Sequence, residues 1–124
     1  MIVKNNRIRR LVADESSRVT DEQFFCSRLL AGHFERIAAA QTKRYGFKEH
    51  MHVQIIWQPL NPNCAKTDNQ DIWINADHAM FQKVYSREER YMLVYGLFAH
   101  ELGHALFTDF SHLHSFVEYM GKGI

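Results

Sequence analysis

The chain has little cysteine and little proline, two of each in 124 residues. Cys26 and Cys64 form no CxxC pair, so no disulfide framework follows from them. Both prolines, Pro59 and Pro62, fall in one polar stretch, Gln58 to Asn63, which reads as a turn. Net charge is also small, +1 at pH 7. That argues against a general nucleic-acid or membrane-surface role, so neither partner is expected. No apolar run at the N-terminus suggests a signal peptide, and no stretch is long enough to span a bilayer. The expected location is cytoplasmic, although a longer parent protein could carry signals of its own. No internal repeat or low-complexity segment is visible.

What is present is apolar content, 46% of residues, enough for one domain over residues 1–124 to bury a core. Residues 1–19 are polar and weakly patterned, and read as a flexible arm or at most a short strand. The cluster Lys4, Arg7, Arg9 and Arg10 there reads as a solvated face. Thr20-Asp21-Glu22-Gln23 is a capping box, followed by Phe24, Phe25, Leu29, Leu30, Phe34, Ile37 and Ala38 at helical spacing. With Gly46 as a stop, this predicts one first helix of about 20–25 residues. His52 to Trp57 and Asp71 to Asn75 read as strands. Ala79 to Tyr85 reads as a short helix, and Ser111 to Met120 as another. Ser86-Arg87-Glu88-Glu89 is a second capping box that opens a further helix. The order gives an α+β layout, a small sheet packed on two helices.

The most informative residues lie in that helix: His100-Glu101-Leu102-Gly103-His104, an HExxH pattern. On a helix, positions i and i+4 lie one above the other, so two imidazoles can grip one Zn²⁺. Glu101 is rotated about 100° from His100, where it can reach a water beside the metal without ligating it. Two neutral nitrogen ligands, an open position and a nearby carboxylate base are what metal-assisted hydrolysis needs. From Tyr91 to Phe107 only the motif residues ionise near neutral pH. Tyr91, Val94, Tyr95, Phe98, Leu102, Ala105 and Leu106 form an apolar stripe, with Leu93 and Leu97 on the histidine side. A helix apolar nearly all round is expected to be buried. Gly96 and Gly103 each cost such a helix about 0.8–1.0 kcal/mol relative to Ala. Tight packing on the first helix would explain Gly96. For Gly103, packing and close approach of substrate or another backbone stand level.

Catalytic zinc usually takes three protein ligands and a water. Asp109, His112, His114 and Glu118 are the candidates for the third. Phe107 and Phe110 stand where the long metzincin pattern needs a glycine and its third ligand, so that pattern fails. Asp109 reaches the metal only if the helix stops near Phe107 or Thr108. Its alternative role is to cap a tail helix.

Tyr95 to Phe110, YGLFAHELGHALFTDF, resembles the zincin metallopeptidases. More narrowly, it is similar to metallopeptidase-type domains of large bacterial and mobile-element proteins that often carry a von Willebrand factor A-type domain. Thr67 to Asn75, TDNQDIWIN, is similar to their short strand before the motif helix, so the resemblance covers about residues 65–110. It implies a compact zincin-like α+β domain. In that fold the buried HExxH helix is the floor of a cleft, with a small sheet above and a long N-terminal helix beside it. It implies Asp109, from the TDF segment, as third ligand beside His100 and His104. It also implies a zinc peptidase acting on a peptide or protein substrate, with Glu101 as general base. An edge strand near the cleft is expected to pair with the substrate backbone, and Ile72-Trp73-Ile74 is the candidate. An oxyanion helper is expected from Tyr91, His112 or His114. No von Willebrand-type domain follows in this chain, which fits a fragment or a stand-alone version. The alternative reading is a catalytically silent metal-binding module of a larger assembly.

Overall fold

A computed structural model describes residues 6–13, 19–44, 51–68, 70–84 and 86–107. Helices α1 (Asn6–Ala13), α2 (Asp21–Phe25) and α3 (Arg28–Arg44) come first. Strands β1 (His52–Ile56), β2 (Ala65–Thr67) and β3 (Asp71–Asn75) follow, then a 3₁₀ turn (Ala79–Phe81) and helix α4 (Arg87–Phe107). The chain is thus mixed α and β, with a small sheet, as the sequence pattern predicts.

The first helix is divided where one long helix was expected. Thr20 and Gln23 make both bonds of the capping box, Gln23 N–H to Thr20 Oγ1 and Thr20 N–H to Gln23 Oε1. The helix then stops at Cys26, and Ser27 starts a new one. Its hydroxyl donates back to the Phe24 carbonyl at 2.7 Å and accepts the Leu30 amide at 3.2 Å. A serine that caps in this way competes with continuation of the helix. Residues 6–13 are a helix and not an arm. Ile8 and Val12, spaced by one turn, are fully or nearly fully buried, while Arg7, Arg9 and Arg10 stay exposed.

Arg87, the first residue of α4, ties these pieces together. It is 2% exposed, yet its guanidinium donates to Asp21 Oδ1, the Leu11 carbonyl and the Val19 carbonyl. Ser86 Oγ accepts the Glu89 amide and so caps α4, as the sequence predicts. The region expected as a helix from Ala79 to Tyr85 is only the 3₁₀ turn, capped by His78.

The sheet order is β1-β3-β2, with β1 parallel and β2 antiparallel to β3. β3 is therefore the central strand. Both its edges are paired, so Ile72-Trp73-Ile74 has no free edge for the main-chain pairing expected of it. β2 is the strand not anticipated. Ala65-Lys66-Thr67 has weak strand character alone and is fixed by pairing with β3. α1 lies against α4, α3 against β1, and α4 against β2 and β3. Val53, Ile55, Ile72 and Ile74 meet Phe24, Phe25, Leu30, Phe34, Tyr91, Val94 and Phe98 in one core. Phe34 and Phe98 stack with ring centroids 4.6 Å apart, joining α3 to α4. No helix of the described residues is long and apolar enough to cross a membrane.

Candidate metal centre

α4 buries one stripe and exposes the opposite one. Tyr91, Val94, Phe98, Leu102, Ala105 and Leu106 face the core as their spacing predicts. Met92, Leu93, Gly96, Ala99, His100 and His104 face outward. The expectation that this helix is buried all round is corrected. Met92 is 52% exposed and Leu93 41% exposed, and both histidines are accessible. Apolar character on this face therefore does not mark core.

His100 and His104 converge. Their Nε2 atoms lie 2.9 Å apart, and the rings meet edge to face with centroids 4.4 Å apart. At that distance one Nε2–H can donate to the other, so the two rings share a hydrogen bond. A tetrahedral ion holding two imidazoles at 2.0–2.1 Å spreads their nitrogens to about 3.3 Å. A few tenths of an ångström of ring movement closes that gap, so the pair fits one ion. Glu101 is half-buried and one step round the helix, towards the sheet. The direction is set by Arg90, which shares its stripe at spacings of 7 and 11 with Leu97 and Glu101. Arg90 lies over the Trp57 ring at 4.8 Å and donates to the Ala76 carbonyl at the end of β3. Glu101 thus sits at the boundary between core and solvent, about 100° round the helix from His100.

Tyr91 does not serve as an oxyanion helper. It is fully buried, nine residues and about 13.5 Å of helix from His100. Burial, with Tyr95 nearby, pushes its phenol well above the ordinary range. Among the described residues Gly96 and Gly103 are not packing glycines either, since a Cβ at either would meet nothing within 4 Å there.

Asp109, His112, His114 and Glu118 lie outside the described residues, and so does the expected tail helix from Ser111 to Met120. Among the described residues no group of three metal-ligating side chains forms, and the two histidines stand as a pair.

Sequence reasoning missed β2 as a sheet edge. Asn75 N–H donates to the Cys64 carbonyl and Asp68 N–H to the Asp71 carbonyl, so residues 64, 66 and 68 face β3. The amides and carbonyls of Ala65 and Thr67 therefore point away from the sheet. They take no hydrogen bond among the described residues. The signal would have been the short run before Asp68, whose carboxylate folds the turn by accepting the Gln70 and Asp71 amides. No protein-family profile, curated protein or solved structure matches this chain.

Proposed function

We propose that the protein is a zinc-dependent metallopeptidase. The single observation that carries this is the convergence of His100 and His104, Nε2 to Nε2 at 2.9 Å, on an accessible helix face beside Glu101. An exposed imidazole pair with a carboxylate one position away is a working arrangement for hydrolysis and has no structural duty in the core. His100 and His104 hold the ion, and Asp109 is the proposed third ligand. A bound Zn²⁺ supplies Lewis acidity toward a carbonyl and lowers the pKa of water. Glu101 accepts the proton of the attacking water and passes it to the departing amine as the C–N bond breaks. β2 takes the place first given to β3. Ala65 and Thr67 offer outward amides and carbonyls to an extended substrate backbone, as strand addition requires.

Glu101→Gln is expected to retain the fold and bound zinc while lowering peptide hydrolysis by about 10²–10⁴-fold. Metal content, circular dichroism and turnover of a peptide library measured on one preparation decide this. Loss of zinc in that variant would show that Glu101 is a ligand and not the base. A second reading, a metal-binding module without turnover, draws on the two-histidine set among the described residues. Full zinc occupancy with no hydrolysis of any peptide by the wild-type protein is its signature.

A further inference from the structure

A groove of about 240 Å³ runs between the C-terminal halves of α3 and α4. Ile37 and Gln41 of α3 form one wall, and Tyr95, Ala99, Gly103 and Leu106 of α4 form the other. It can be reached from outside. Ala99 is exposed, and Ile37, Gln41, Tyr95 and Gly103 are half-buried. A Cβ on Gly103 would meet nothing within 4 Å among the described residues. The groove is smaller than the roughly 300–1,000 Å³ of a small-molecule pocket. It suits apolar side chains laid in from one side. Phe107, the last residue of α4, lines its end. At about 100° per residue, Ala99 and Gly103 lie on the flank of the histidine pair opposite to Glu101.

The sequence after Phe107 matches this groove. Leu113, Phe116, Val117 and Met120 recur at i, i+3, i+4 and i+7, the spacing of one apolar helix face. Ser111, Ser115 and Glu118 fall on the other face. Ser111 is a capping residue before this run, and Gly121 is a stop after it. A helix of about ten residues is marginal alone, so its apolar face needs a surface to cover. We propose that residues 111–120, which lie outside the described residues, seat as a helix in the α3–α4 groove, antiparallel to α4. The tail is the occupant because it is tethered at the groove's end. Thr108-Asp109-Phe110 is a connection of the length that joins antiparallel helix neighbours. A segment so tethered meets the groove at an effective concentration on the order of mM, which a second copy or a separate partner does not match. Ten residues of helix cover about 15 Å, and Phe107 to Tyr95 is about 18 Å of α4. Antiparallel seating brings Phe116 level with Leu102 and Gly103, and Met120 level with Ala99. The tail then walls the histidine face on one side and leaves the Glu101 side open. The seating rests on groove and tail alone and holds whether or not His100 and His104 bind zinc.

The test is hydrogen exchange of the full chain in zinc-free buffer, joined to a cysteine pair. The amides of residues 116–120 are expected to exchange about ten-fold or more slower than in an unfolded chain of that sequence. Gly103→Trp fills the groove from its α4 wall and is expected to remove that protection. For the second measurement Cys26→Ser and Cys64→Ser clear the native thiols. On oxidation, Ala99→Cys with Met120→Cys is expected to close within one chain. It should do so about ten-fold faster than Ala99→Cys with Glu118→Cys, because Glu118 lies on the outer face. Unprotected amides in wild type overturn the proposal. So does protection that Gly103→Trp leaves unchanged, or closure as fast at Glu118→Cys as at Met120→Cys. Disulfide-linked dimers in place of closed monomers also overturn it, and would assign the groove to a second copy. Where one set of variants fails to fold, the other decides.

Discussion

Glu35 and His33 sit two positions apart on α3 and respond to acid for opposite reasons. Burial alone would raise the Glu35 carboxyl, but the Val53 amide, Arg28 and His52 outweigh it and hold it below its ordinary value. A depressed carboxylate contributes stability that is present above its unfolded pKa and lost as pH falls through the folded one. His33 is 7% exposed, its Nε2 has no partner among the described residues, and burial, with Arg36 nearby, lowers its pKa. Its neutral form is kept in the fold, so the unfolded chain binds the extra proton as pH drops through about 6.5. Both groups thus make acid destabilising, His33 first and Glu35 at lower pH. His33→Phe is expected to flatten the dependence of stability on pH between about 7 and 5, while leaving the loss near pH 4 in place. Denaturant midpoints measured across pH give the comparison, and an unchanged slope from 7 to 5 would remove His33 from the account.

At the scale of elements, α4 decides most of the outcome. Its outward stripe carries Gly96, with open space above it among the described residues. Gly96→Ala should therefore stabilise the fold by about 0.5–1 kcal/mol, since helix propensity gains and nothing clashes. A rise in the thermal midpoint checks this. A fall would mean that some other part of the chain already contacts Gly96. The sequence made the inward stripe of α4 legible because Tyr91, Val94, Phe98 and Leu102 repeat at helical spacing. It set Leu93 on the opposite, histidine side but could not show that this side, with Met92 and Leu93, faces outward. Hydropathy marks what may be buried, and the neighbours that do the burying are set by tertiary packing. β3 was readable from its alternation, yet its place in the sheet was not, because strand order depends on distant pairing partners. α1 escaped notice because its apolar stripe is only Ile8, Leu11 and Val12 among arginines. The split at Ser27 was legible in principle from a capping residue inside the helical run.

Across the whole molecule, the same frame serves two ends. Arg87 fixes α1 and α2 to the start of α4, and the Phe34–Phe98 stack fixes α3 along it. What this leaves accessible is the His100–His104 face on one side and the β2 edge of the sheet. The proposed function requires that this face hold zinc. The most direct measurement is zinc content and affinity of the protein purified without chelator, beside His100→Ala and His104→Ala. About one zinc per chain is expected in wild type, lost in both variants, with a thermal midpoint that rises on adding zinc only to wild type. Wild-type protein that is metal-free and refuses added Zn²⁺, or histidine variants that bind it as tightly as wild type, would contradict it.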